Sequence, residues 1–199
     1  MVVSVSSPSM VIIINCLEHM EKDSSAEQIT LSTKIAHSAI KQYNFKSSKL
    51  KFIKHLENTT FGLSTERGNF LLRVYCGLQN TVKEIESEAK IIEYLASCNH
   101  YKYQKPIYNN SNSFVSIAEA DEISKPVSIL SWIDSPIIGH QVNDISLFNR
   151  LGKLTAQIHN KLAEWQKSVD FQRPIFDADN LVGKNGAFGY ANYTYPFIL

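Results

Sequence analysis

At 199 residues, 44% hydrophobic and 20% charged, the chain is long enough for one domain, or two small ones, with a sizeable core and no need of disulfide or metal staples. Its 20 lysines and arginines against 19 acids leave a net charge of +1, which gives no electrostatic drive toward nucleic acid or an anionic membrane. Cys16, Cys76 and Cys98 form no C-x-x-C and have no histidine at zinc spacing, so they read as reduced thiols. No stretch approaches the ~18 apolar residues of a membrane span, and a cytoplasmic protein is the expectation.

Taken in chain order, the first segment contains S-M-V-I-I-I-N-C-L, which lacks a basic flank and is followed by L-E-H-M-E-K-D rather than a small-residue cleavage site. It reads as a loose tail, or as an upstream extension of the true start. Ser25 with Gln28 makes a capping box, and Leu31, Ile35, Ala39 and Tyr43 keep helical spacing up to Tyr43-Asn44-Phe45. From Leu50 the period changes to that of strands: L-K-F-I-K-H-L, T-F-G-L-S-T, the turn E-R-G-N, and F-L-L-R-V-Y-C. A helix follows in V-K-E-I-E-S-E-A-K-I-I-E-Y-L-A-S, its stripe made of Val82, Ile85, Ala89, Ile92 and Ala96 and widened by Ile91 and Leu95. P-I-Y, S-F-V-S-I-A-E-A and P-V-S-I-L-S-W-I then read as strands separated by N-N-S-N-S and D-E-I-S-K-P. From Asp144 a long helix is predicted, with Leu147, Leu151, Leu154, Ile158, Leu162 and Trp165 as its stripe; beyond Gln166 the chain is loop-like. Strands in two groups of three, with helices before, between and after, make an α+β plan.

One charged residue stands out in that plan. Strand alternation puts Leu71, Arg73 and Tyr75 on one face and Phe70, Leu72 and Val74 on the other, so Arg73 sits among apolar neighbours. A guanidinium there is costly unless it is paired. On the following helix Glu84, Glu86 and Glu93 lie off the apolar stripe. Glu88 does not: it precedes Ile91, Ile92 and Leu95 by three, four and seven residues, which carries its carboxylate toward the sheet. Arg73 and Glu88 are therefore expected to meet. Two readings stay open: a structural ion pair that fixes helix to sheet, and an acid that holds a cation in place for an external anion such as a nucleotide phosphate.

With strand, loop, strand, turn, cation-bearing strand and glutamate-bearing helix in that order, the chain resembles the N-terminal lobe of the kinase fold. More specifically it is similar to the aminoglycoside phosphotransferase family, with its choline-kinase-like and type II homoserine-kinase-like branches. The matching stretches are H-L-E-N-T-T-F-G-L-S-T, N-F-L-L-R-V-Y, E-I-E-S-E-A-K-I-I-E-Y-L, V-S-I-L-S-W-I-D and L-G-K-L-T-A-Q-I-H-N, between about Tyr43 and Gly183. The resemblance implies a protein-kinase-like N-lobe, an antiparallel sheet with one packed helix, followed by the start of a helical C-lobe. It divides the chain into a tail (1–29), an N-lobe (30–133) and a hinge, long helix and C-lobe start (134–199). It implies ATP with Mg²⁺ as cofactor and a small-molecule hydroxyl as acceptor. Arg73 takes the position of the strand-three lysine on the α- and β-phosphates, and Glu88 that of the helix acid orienting it. Arginine departs from the family's lysine, yet it can bind phosphate bidentately. Asn58, Thr59 and Thr60 stand where protein kinases have a G-x-G-x-x-G loop. With Gly62 alone present, contacts there would come from backbone N–H groups and the hydroxyls of Thr59 and Thr60; a polar hairpin turn is the competing reading. Ser131, Trp132 and Ile133 fall at the hinge, where backbone groups would hold adenine, although Trp132 reads equally as a core aromatic.

Phosphoryl transfer also needs groups that the sequence lacks. The family's H-G-D-x-x-x-x-N loop and later D-x-D are missing: none of the six histidines is followed by G-D, and Gly139-His140 has the reverse order. Asp177-Ala178-Asp179 reads as a loop in a connector resembling the family's F-x-R-P-x-F-D rather than as a metal site, and His159 as a packed helix histidine rather than a base. No catalytic or metal-binding residue is assigned. The expectation is an N-terminal portion of a small-molecule kinase, truncated by a frameshift, stop codon or gene-model error and inactive alone, with self-association through the exposed face. The alternative is a complete non-catalytic, pseudokinase-like module that binds nucleotide or a partner protein.

Overall fold

A computed structural model describes residues 25–77, 81–98, 101–134, 145–175 and 177–179. Helix α1 covers residues 25–40. It is followed by β1 (Ser48–His55), β2 (Asn58–Thr65), β3 (Gly68–Tyr75), α2 (Val82–Ser97), β4 (Pro106–Ile107), β5 (Val115–Ala120), β6 (Ile123–Ser131) and α3 (Ile145–Glu164). The six strands form one antiparallel sheet in the order β1-β2-β3-β6-β4, with β5 also paired to β6. β6 shares its outer edge between two partners, β5 along Ile123–Ser128 and the two-residue β4 at Ile129 and Leu130.

The pleat sorts the side chains into two layers. Phe61, Leu63, Phe70, Leu72, Val74, Val127 and Ile129 face α1 and close a core with its Ile35, Ala36, Ala39 and Ile40, and with Tyr43. Small and branched residues on α1 let the helix sit close to the sheet. Where the sequence predicts one packed helix, the sheet therefore carries two, one on each face. The second face packs α2, with Ile85 against Tyr75 and Val115. α2 starts at a capping box: Thr81 Oγ1 accepts from the Glu84 N–H at 3.3 Å, and Glu84 Oε2 accepts from the Thr81 N–H at 2.8 Å. β1 is an edge strand studded with Lys49, Lys51 and Lys54 and interrupted by a register shift between Phe52 and Lys54, both devices that discourage pairing with another chain.

Two tight turns need unusual backbone. Gly68 closes the β2–β3 hairpin at φ +115°, where a side chain would be strained. Asp121 and Glu122 close β5–β6 with φ of 50° and 65°, and Asp121 is anchored to α1 by Lys34 at 2.7 Å. Along α3 no residue is fully buried: Leu147, Leu154, Ile158 and Leu162 are half-buried, as is Trp165 just past its end, and Leu151 is exposed. His159, predicted as packed, lies exposed on this helix, because the half-buried stripe runs along another side. Among the described residues no helix is long and apolar enough to cross a membrane.

Candidate functional site

In β3, Arg73 lies between Thr60 of β2 and Ser128 of β6 in the sheet register, and its side chain emerges on the α2 face. Glu88 comes from the middle of α2 to meet it, with Arg73 Nη1 donating to Glu88 Oε1 at 3.2 Å. The pair sits at the rim of the seam, 26% and 29% exposed, so it is screened from water without being sealed. Beneath it the packing is tight: Tyr75, Ile85, Ala89 and Leu130 surround a cavity of only about 10 Å³. Tyr75 is buried and shares a hydrogen bond with Ser128 Oγ at 3.1 Å, while its ring centroid lies 5.8 Å from the Arg73 guanidinium. Burial pushes the Tyr75 phenol pKa up, which keeps it a neutral phenol. Burial opposes the charge on Arg73, but at the alkaline pH where a guanidinium would titrate the ionised Tyr75 and the Glu88 carboxylate outweigh it and raise its pKa.

Sequence reasoning missed the third member. Arg173, in the segment after α3, donates through Nη1 to Glu88 Oε2 at 3.2 Å and to the Glu84 carbonyl at 3.4 Å. One carboxylate is thus held between two guanidiniums, one from the sheet and one from a segment 85 residues further along than Glu88. The F-Q-R-P stretch was legible as a connector, but nothing in its local pattern points to a partner so distant.

The remaining candidates divide by the pleat. Thr60 and Asn58 lie opposite Arg73 and Tyr75 in the register and share their face. The Asn58 side-chain Oδ1 is buried and has no hydrogen-bond partner among the described residues. Thr59 faces the other way. It is completely buried, and its Oγ1 donates to Ser32 Oγ at 2.9 Å and lies 2.8 Å from His55 Nδ1 and 3.3 Å from Cys76 Sγ. The expected hydroxyl contact from Thr59 to a phosphate is therefore corrected: a period of two, set by Phe61 and Leu63, turns that hydroxyl into the joint with α1.

At the far end of β6, Trp132 is 40% exposed and so is not the core aromatic that the sequence left open. Its N–H donates to the Asn69 carbonyl at 3.3 Å. The Ser131 N–H donates to the Lys105 carbonyl at 2.8 Å, and its carbonyl accepts from Gln104 Nε2 at 3.3 Å. Of the three expected hinge residues, this leaves the Trp132 carbonyl and both backbone groups of Ile133 without a hydrogen bond among the described residues. Ile133 stands five residues from Ser128, the partner of Arg73. At about 3.3 Å per residue, that sets Ile133 ~17 Å along the strand from the level of Arg73. Asp177 and Asp179 are both exposed.

No protein-family model matches the chain, and no curated protein sequence matches it. Solved structures do share its fold. They include a microcompartment-associated aminopropanol kinase, at a TM-score of 0.66 and 20% identity over 76% of this chain and 47% of that one. An amicoumacin kinase in complex with AMP-PNP, Ca²⁺ and Ami superposes at a TM-score of 0.60 and 19% identity, over 79% of this chain and 47% of that one. The chain therefore has the kinase-like fold of small-molecule phosphotransferases, its sheet and α2 forming the N-lobe. It spans about half the length of the structures it matches.

Proposed function

We propose that this chain is the N-terminal part of an ATP-dependent phosphotransferase of the aminoglycoside phosphotransferase family, acting on a hydroxyl of a small molecule, and that it supplies the nucleotide clamp. The observation that carries this reading is the Arg73–Glu88–Arg173 cluster on the α2 face of a kinase-like sheet. The donor set suits a polyphosphate. Each arginine engages Glu88 through Nη1 alone, and apart from the nearby Tyr75 phenol the Nη2 and Nε groups of both have no acceptor among the described residues. A guanidinium with its second edge open is shaped for bidentate contact with phosphate oxygens.

The roles follow from position. Arg73 binds and orients the phosphates, and Glu88 fixes its rotamer. The Thr60 side chain lies on the same face, whereas the backbone of Asn58–Thr60 lies within the ladders to β1 and β3 instead of forming a phosphate loop; the Trp132 carbonyl and Ile133 N–H hold the base at the hinge. ATP, when bound, supplies the phosphoryl group. The residues of this sequence bind and orient it but include neither the H-G-D-x-x-x-x-N loop nor the later D-x-D that would position the acceptor and Mg²⁺, so the chain as given is expected to bind nucleotide without turnover.

Thermal unfolding with ATP, with and without Mg²⁺, tests this. At a hundredfold excess over Kd, ligand linkage of about 2.7 kcal/mol raises the melting temperature by about 5–10 °C for a chain of this size. The expected result is that shift in the wild type and its loss in Arg73→Ala. No shift in the wild type defeats the nucleotide reading. An undiminished shift in Arg73→Ala removes Arg73 from it.

A further inference from the structure

Residues 161 to 173 run antiparallel along α2 and are fastened to it at successive turns. The Lys161 carbonyl accepts from the Tyr94 hydroxyl at 3.2 Å, and the Trp165 ring lies 6.1 Å from that of Tyr94. Asp170 pairs with Lys90 at 2.8 Å, and the Gln172 N–H donates to the buried Ser87 hydroxyl at 3.0 Å. Arg173 ends the run on Glu88 and on the Glu84 carbonyl one helical turn before it. Arg173 thus brings a guanidinium to the end of a segment that is also tied to α2 elsewhere.

Charge arithmetic shows what it adds. Arg73 and Glu88 alone are neutral together, so the carboxylate offsets part of the pull that the cation exerts on an incoming phosphate. With Arg173 on the second carboxylate oxygen the cluster carries +1. When an anion draws on Arg73, Glu88 keeps a full partner. Resting on the nucleotide reading above, we propose that Arg173 is a positioning residue for the anion site: it neutralises and holds Glu88 from the side opposite Arg73, which couples the segment after α3 to phosphate binding on the sheet.

The test uses the full chain and two probes, ATP and inorganic tripolyphosphate, titrated calorimetrically against the wild type, Arg173→Ala, Arg173→Lys, Glu88→Gln and the double variant Glu88→Gln/Arg173→Ala. Melting temperatures verify that each variant is folded. Arg173→Ala is expected to weaken both probes about tenfold, within the usual range of coupling between sites. Arg173→Lys should restore most of that loss because the charge returns. In the double variant the loss should largely vanish, since removing the carboxylate also removes the charge that Arg173 offsets. A merely structural role predicts the same loss with or without Glu88, and that outcome overturns the proposal, as does wild-type affinity in Arg173→Ala. Binding of tripolyphosphate but not ATP keeps the proposal and defeats the nucleotide reading. Binding of neither probe by the wild type defeats both.

Discussion

Glu88 carries two guanidiniums on one carboxylate, and that sets its weight in the fold. Replacing it with alanine leaves Arg73 and Arg173 facing each other, partly buried and without their acceptor. Glu88→Ala is therefore expected to lower stability by about 2 kcal/mol, at the level of a lost charged hydrogen bond plus like-charge repulsion, measured by urea unfolding. An unchanged midpoint would mean that the cluster is not formed in solution. Half of this site was legible in the sequence. Arg73 and Glu88 were brought together by two periods, the alternation of β3 and the 3.6-residue stripe of α2. Thr59 could have been placed by the same rule, since Phe61 and Leu63 already fix the inward phase of β2. Arg173 could not, because it comes from an irregular segment with no period to extrapolate and meets its partner across most of a domain.

The elements themselves were largely written in local chemistry. Each predicted strand is present, and α2 spans the sixteen residues that its stripe outlines. β4 shrank to Pro106–Ile107 because β5 already occupies most of the β6 edge, a competition no local pattern reveals. The start of α2 was readable and overlooked: Thr81 with Glu84 is a T-x-x-E box. It matters to the site because Glu84 lends its side chain to the cap and its carbonyl to Arg173. Thr81→Ala is expected to cost about 1 kcal/mol and to speed amide exchange in the first turns of α2, read by hydrogen–deuterium exchange. α3 was predicted correctly as a helix, yet its stripe is only half covered among the described residues, so amphipathic spacing told where the helix is and not what lies against it.

Across the whole molecule, the segment after α3 joins the helical part to the sheet part through α2, and one of its ties is sensitive to acid. The Lys90 ammonium, with help from the Ser168 hydroxyl, pulls the Asp170 carboxyl from its ordinary 3.8 down to about 2. A carboxyl whose pKa is depressed in the fold contributes stability above its unfolded pKa and loses it as pH falls through the folded value. The tie is therefore intact at neutral pH and released between about pH 4 and 2. Side-chain NMR of Lys90 should follow that release, and Asp170→Asn should abolish the pH dependence; because the pair is exposed, the effect on global stability is small. The pleat of β3 has a consequence of another kind. Phe70, Leu72 and Val74 belong to the core against α1, while Leu71, Arg73 and Tyr75 belong to the site against α2, and the two sets are interleaved residue by residue. The count of residues thus matters more here than the identity of any one of them. Deleting a single codon early in this strand would exchange the two faces, turning aromatic and aliphatic groups toward Glu88 and driving a guanidinium into the dry joint beneath α1.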